Sequence, residues 1–311
     1  MTKMKLGLAA KLSKIEWDMH RLQLSYGEIL NTYRQQGKDV GKIVASHTRQ
    51  KQNIEEILAQ VPGAEVLDVI ALQKNCTPKA EVEILIALGG DNFFQICSHL
   101  FPEAYLVGVN SDPQTSYGKL LYFTPDSLRQ RLKQIVKGDF NTEYWARVAT
   151  TLNGARVEDS TCTVSLSIKA TDMMSRYLLK LNGESEEQKC TGILVVSGAG
   201  SGTGARYRNA GLYLPQVKSG LYPLVTSEFS RISPKLRTLT REPFMGEECK
   251  YKGLNLRVQE GEELTLMYWA NDPSELSIDS INRYDVKEGD ELKFKVSDKP
   301  LKVISKMNRK W

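Results

Sequence analysis

The chain is poor in the residues that build metal and disulfide centres. Its five cysteines, at 76, 97, 162, 190 and 249, include no C-x-x-C pair, and its three histidines, at 20, 47 and 99, have no H-x-x-x-H spacing. A disulfide framework, a zinc site and histidine-based metal chemistry are therefore not expected, and a reducing compartment is the default. Long apolar runs are missing too: nothing approaches the 18 or so residues of a membrane span. Excess charge of one sign is small, with 42 Lys plus Arg against 37 Asp plus Glu leaving +5 over 311 residues. So small and evenly spread a surplus argues against nucleic acid as a partner, although it would help to attract a polyphosphate. There is no low-complexity linker and no repeat of solenoid period.

What remains is the composition of a soluble globular protein, 41% apolar and 25% charged, long enough for one large domain or two ordinary ones. The start, MTKMKLGLAAKLSK, is basic and lacks acids until Glu16. It reads either as a transit peptide or, over residues 5–12, as a first strand. The expected location is cytoplasmic, with the mitochondrion as the alternative.

The first half alternates strand-like and helix-like segments. Ile54, Ile57, Leu58 and Val61 fall on one helical face, and residues 82–88 and 105–109 are short apolar runs suited to buried strands. Thr124 followed by Pro125 opens a helix lined by Leu128, Leu132, Ile135 and Val136, with Gly138 as its stop. The second half has strand patterns at 161–168, 190–196, 254–268, 274–279 and 290–304, with Asn153-Gly154 and Asn182-Gly183 as hairpin turns. The expected fold is an α/β N-terminal domain with a parallel sheet over residues 1–140, then an all-β C-terminal domain over 141–295. Residues 296–311 are expected to form a tail that packs back on the first domain.

Three loops could carry chemistry. Gly89-Gly90-Asp91-Asn92 follows a buried-type strand; its glycines permit close ligand approach, and a following helix would aim N–H groups at phosphate. The residues alone leave Asp91 as either a general base or a helix cap. Asn110-Ser111-Asp112-Pro113 follows the next strand and would lie beside the first loop if those strands are neighbours; its residues are also ordinary turn formers. Ser197-Gly198-Ala199-Gly200-Ser201-Gly202-Thr203-Gly204 alternates glycine with small residues and offers N–H groups and hydroxyls to a nucleotide, with Arg206 and Arg208 behind it. It has no Gly-Lys-Ser/Thr ending, so it is not a Walker loop.

These three loops, in this order, resemble the NAD kinase family, most of all its mitochondrial type and bacterial relatives. The G-G-D-G motif of that family corresponds to Gly89 to Asn92, its G-V-N-x-D-P to Gly108 to Pro113, and its S/T-G-x-G-S to Ser197 to Ser201. Arg241-Glu242-Pro243-Phe244 is similar to its R-E-P-F segment, and Ile278-Asp279-Ser280 to its I-D-G. The Ser46 to Ile54 stretch looks like the first helix of the subgroup. The resemblance spans nearly the whole chain. It implies NAD and ATP as ligands, Mg²⁺ with ATP, a nucleotide cleft between two domains, and often a homo-oligomer. It implies transfer of the ATP γ-phosphoryl group to the 2′-hydroxyl of the adenosine ribose of NAD, with Asp91 taking the hydroxyl proton. Gly89, Gly90, Asn92, Asn110, Ser111, Asp112, Ser197, Gly198, Ala199, Gly200, Ser201 and Asp279 would hold nucleotide.

Three departures stand out. Asn92 and Phe93 replace the family's Gly and Thr; Asn tolerates left-handed backbone, but Phe lacks the hydroxyl. The family's Asn-acid pair is missing ahead of Ser175-Arg176-Tyr177, where Asp172 is the nearby acid. Tyr207 could stand in for the aromatic that the family places after the glycine loop. With the pair missing, one of Asp112 and Asp279, the acids that match other motifs of the family, is expected to contact the dinucleotide. Besides NAD kinase, two readings stay open: a kinase of this fold acting on another hydroxyl acceptor, and a non-catalytic nucleotide-binding protein.

Overall fold

A computed structural model describes residues 4–73, 81–170, 172–203, 228–244 and 251–306. Arg206, Tyr207 and Arg208 lie outside the described residues. The chain divides into two compact units, the first reaching Thr142 and resuming at Lys302, the second running from Glu143 to Leu301.

The first unit opens with β1 (Leu6–Ala10), α1 (Lys14–Leu22), α2 (Tyr26–Gln35) and α3 (Val40–Gln60). It continues with β2 (Glu65–Val66), α4 (Val69–Gln73), β3 (Ile84–Gly89), α5 (Asp91–Leu100), β4 (Tyr105–Asn110) and α6 (Pro125–Val136), and ends within β5 (Asn141–Trp145), where the division falls after Thr142. Local chemistry sets several of these boundaries. Ser13 and Ser25 start α1 and α2 through reciprocal capping with Glu16 and Glu28. Thr124 caps α6 with Ser127, Pro125 sits in its first turn, and Gly138 turns left-handed just beyond it at φ 80°.

The sheet of this unit has the order β2-β1-β3-β4-β18-β5, where β18 is Leu301–Ser305. β1 pairs parallel with β2 and β3, and β4 pairs parallel with β3 and β18. Strand alternation sends Leu6, Leu8, Ile84, Ile86, Leu88, Val107 and Val109 to one face, where they pack with Ile57 of α3 and with Leu128, Leu132 and Ile135 of α6. Each such buried aliphatic contributes about 1.5–3 kcal/mol. Gly108 has the opposite parity and meets Phe94 of α5: a β-carbon there would stand 3.0 Å from the ring. Helices therefore cover both faces, as parallel sheets require.

The second unit holds β6 (Val148–Leu152), β7 (Ala155–Arg156), β8 (Thr163–Ile168), β9 (Ser175–Leu181), β10 (Glu184–Cys190), β11 (Gly192–Val196) and the short α7 (Gly198–Thr203). It also holds β12 (Lys235–Arg241), β13 (Arg257–Gln259), β14 (Leu264–Tyr268), β15 (Ser274–Ile278), β16 (Asn282–Val286) and β17 (Glu291–Val296). They form two six-stranded sheets, β10-β9-β14-β17-β6-β7 and β13-β12-β11-β8-β15-β16, whose strand pairs are antiparallel. Tyr177, Leu266 and Phe294 from one sheet share a core with Leu166, Ile193 and Leu276 from the other. Asn153-Gly154 and Asn182-Gly183 all have positive φ, the backbone of tight hairpin turns.

The α/β-plus-all-β fold class expected from the sequence is the one observed. Some segments differ in detail. The apolar stretch 254–268 is two strands, β13 and β14, because Gly261 turns the chain at φ 84°. The stretch 290–304 is split between β17 of the second unit and β18 of the first, so the division falls at Leu301 instead of residue 295. The glycine-rich segment after β11 is largely helical, not a loop, over Gly198–Thr203.

Candidate functional site

In the first unit, β3 and β4 are neighbours in parallel register, with Gly89 opposite Asn110, so their two loops adjoin at the carboxyl ends of the strands. The Ser111 N–H donates to the Gly89 carbonyl at 3.0 Å. Ligands of open α/β sheets bind at this edge. Gly90 is the N-cap of α5 in extended backbone, with no side-chain cap. The first amides of α5 consequently have no intrahelical acceptor and point outward at the positive end of the helix dipole.

Asp91 is the first residue of α5, not its cap. Its carboxylate accepts the Lys119 N–H at 3.0 Å on Oδ2 and the Leu120 N–H at 2.8 Å on Oδ1. Those bonds fix its orientation and leave each oxygen a further lone pair. Asn92 is exposed and helical, with φ outside the positive range, so the left-handed tolerance of Asn is not used. Phe93 points into the core, 2% exposed, and a β-carbon on Gly89 would stand 2.6 Å from its ring. Phe93 thus explains why position 89 must be glycine, and its bulk is turned away from the open side of the loop.

The second loop is held by its own polar groups and by α3. Asn110 accepts the Asp112 N–H and the Ser116 hydroxyl on Oδ1, and donates from Nδ2 to the Ser116 carbonyl at 3.0 Å. Asp112 is buried and accepts from the Ser46 and Thr115 hydroxyls and from Arg49, whose Nη2 lies 3.2 Å away. Burial pushes its carboxyl up, but the bonds from Ser46 and Thr115 and the Arg49 guanidinium outweigh it and hold the pKa below the ordinary Asp value. Asn53 donates to the Ser111 carbonyl at 3.3 Å. Ser46, Arg49 and Asn53 lie one helical face apart, at i, i+3 and i+7. Within the Ser46 to Ile54 stretch the motif resemblance does not mark Arg49; the i, i+3, i+7 spacing is the signal that does.

In the second unit the glycine-rich segment is bound to its own backbone. The Ser197 hydroxyl donates to the Thr161 carbonyl at 2.6 Å and accepts the Gly200 N–H at 3.3 Å, starting α7. The Ser201 hydroxyl donates to the Gly198 carbonyl and accepts the Phe229 N–H. A β-carbon on Gly198 would stand 2.1 Å from the Ser230 carbonyl oxygen, and one on Gly200 2.0 Å from that of Cys162. The close approach expected between these glycines and a nucleotide is made to the chain itself. Ala199 and Ser201 are buried.

Asp279 ends β15 in a left-handed conformation, φ 50°. Its carboxylate accepts the Ser160 hydroxyl at 2.8 Å and the amides of Thr161, Cys162 and Thr163 at 2.6, 2.9 and 2.8 Å. It therefore holds the 160–163 turn, against which Gly200 packs. Of the Ser175-Arg176-Tyr177 segment, Tyr177 is fully buried, its hydroxyl donating to Gln188 Oε1 at 3.0 Å.

A parallel α/β unit followed by a two-sheet β unit, with glycine-bearing turns at the strand ends of each, defines the class. In particular, the chain has the fold of NAD kinases. It superposes on the NAD kinase of Archaeoglobus fulgidus, solved in complex with ATP, with a TM-score of 0.59 at 16% identity, over 83% of this chain and 90% of that one. In sequence it is 26% identical over 144 residues to the NAD kinase of Methanopyrus kandleri, which is 45% of this chain. The match spans about half, 51%, of that curated relative. No protein-family model matches the chain. The structural likeness is one of fold, and the relative matched in sequence is of the family that the motifs resemble.

Proposed function

We propose that this chain is a NAD kinase-type phosphotransferase, moving the γ-phosphoryl group of ATP to the 2′-hydroxyl of the adenosine ribose of NAD. The observation that carries this reading is Gly89-Gly90-Asp91 at the carboxyl end of β3, with the uncapped start of α5 beside a carboxylate fixed by two amides. On this reading Asp91 accepts the hydroxyl proton through a lone pair that its amide partners leave unused. The α5 amides meet phosphate oxygens, and the loop at Asn110 to Asp112 shapes the adjoining wall. Mg²⁺ entering with ATP would supply neutralisation of the phosphate charge. Mg²⁺ commonly takes one or two carboxylates beside substrate phosphates, and Asp91 is the carboxylate at this turn.

The test is a titration of NAD to millimolar levels with Mg-ATP, following NADP by a coupled dehydrogenase. Asp91→Asn should lower turnover about 10²–10⁴-fold. A variant that keeps more than about a tenth of wild-type turnover would reduce Asp91 to an anchor for residues 119–120. One observation favours a second reading, a kinase of the same fold acting on another hydroxyl. The Asp279 carboxylate is taken up by residues 160–163, which leaves the missing Asn-acid pair without that replacement. ATP consumption with other hydroxyl acceptors but not with NAD would select it.

A further inference from the structure

Two hairpins of the second unit turn on the same dipeptide. Asn153-Gly154 joins β6 to β7 and Asn182-Gly183 joins β9 to β10, with φ of 51° and 79° in the first and 52° and 82° in the second. Each is a two-residue turn, closed by Leu152 opposite Ala155 and by Leu181 opposite Glu184. All four turn residues are exposed. Asparagine before glycine is prone to deamidation, because no side chain on the glycine screens its nitrogen from the asparagine amide carbon. Dipeptide and backbone therefore make the two turns equal; their side-chain partners do not.

The Asn153 side chain is held at both ends. Its Nδ2 donates to Oδ1 of the buried Asp290 at 2.9 Å, and its Oδ1 accepts the Glu291 N–H at 2.9 Å. The Asn153 N–H also donates to the Glu291 carbonyl at 2.8 Å, so three bonds stitch this turn to the start of β17. Asp290 is fixed in its turn by the Lys287 N–H at 2.8 Å. The Asn182 side chain has one bond, from Nδ2 to Glu262 Oε1 at 2.9 Å, beside the solvent-facing Gly261, where it competes with water. Among the described residues no donor is bonded to Asn182 Oδ1. An open cavity of about 460 Å³ lined by Asn182, Leu181, Glu184 and Lys252 leaves the side chain room to rotate. Ring closure on the following nitrogen requires the side chain to leave its partners and the turn to open locally, so the two turns differ in how many bonds must break first.

We propose that Asn182 is a site of spontaneous deamidation and that Asp290 and Glu291 protect Asn153 from the same reaction. The Gly183 backbone nitrogen gives up its proton to solvent base and bonds to Asn182 Cγ; the Cγ–Nδ2 bond breaks, and Nδ2 takes up a proton and leaves as ammonia. Water then opens the five-membered imide at either carbonyl to give aspartate or isoaspartate, with no change of oxidation state. Either product sets a negative charge against Glu262 where an amide donor stood, and isoaspartate also lengthens the turn by one backbone atom. Both loosen the link between the β9–β10 hairpin and the turn at Gly261. The full-length protein would be aged at mildly alkaline pH and sampled by peptide-mapping mass spectrometry, with isoaspartate counted by a protein isoaspartyl methyltransferase. Asn182 should convert at least about ten-fold faster than Asn153 in the same sample, because fewer hydrogen bonds must break first. In guanidinium-unfolded protein the two should convert at similar rates, since the dipeptides are identical. Asp290→Ala should raise the Asn153 rate toward that of Asn182. Equal rates in the folded protein, or a folded Asn182 that stays an amide while the unfolded chain converts, would overturn the proposal. So would an unchanged Asn153 rate in folded Asp290→Ala, as regards the protection.

Discussion

The two glycine-bearing turns look alike in sequence and differ in what their glycines touch. In the first unit a β-carbon on Gly90 would meet nothing within 4 Å. In the second, β-carbons on Gly198 and Gly200 would run into the carbonyl oxygens of Ser230 and Cys162. One turn leaves its backbone open at the carboxyl ends of parallel strands. The other spends its glycines on packing α7 against the 160–163 turn that Asp279 holds. A run of glycines is therefore evidence of close approach, but not of what approaches.

The sharpest way to break this contrast is Gly200→Val. It should cost on the order of 3 kcal/mol or more in chemical denaturation, because the new side chain meets backbone that cannot yield. A Gly200→Val protein that unfolds with the wild type would mean that α7 is not seated as described. Asp279→Ala comes next, at about 2–4 kcal/mol, since buried amides left without an acceptor cost about 1–3 kcal/mol each. If the loss appears instead as a raised KM for NAD with an unchanged melting point, Asp279 serves the ligand and not the turn.

Asp112→Asn in the first unit should cost about 1–3 kcal/mol at neutral pH, from lost charge-assisted bonds to Arg49, Ser46 and Thr115. The folded-state pKa of Asp112 is lowered, so its contribution is complete above the ordinary Asp value of about 3.9 and disappears as pH falls through the folded value. The stability gap between wild type and Asp112→Asn should therefore close only in acid; a gap independent of pH would show that the charge is not what matters. The smallest effect on stability belongs to Gly90→Ala, within about 0.5 kcal/mol, because φ −111° and ψ −177° suit any residue. Its effect should appear in ATP affinity. Unaltered affinity would show that no ligand approaches that backbone.

Legibility followed the range of the interactions. The α6 boundary could be read at Thr124-Pro125 and Gly138, and the hairpins at Asn153-Gly154 and Asn182-Gly183, because each depends on a few consecutive residues. Helices α1 and α2 carry equally local signals in Ser13/Glu16 and Ser25/Glu28, but their apolar faces are short, with Ile15, Ile29 and Tyr33 as the core, so their periodicity is weak. The split of 290–304 was not legible: β17 and β18 alternate similarly, and only their partners differ.

By itself the chain determined its strand and helix periods, its turns, and the motif order that resembles NAD kinases, since these depend on residue type and spacing. Tertiary structure decided which acids are already spent. It gave Asp112 to Arg49, 63 residues away, and Asp279 to the amides of Thr161, Cys162 and Thr163, 118, 117 and 116 residues away. It also turned Phe93 into the core. A carboxylate's role depends on which donors reach it, and the donors here come from parts of the chain that folding alone brings together.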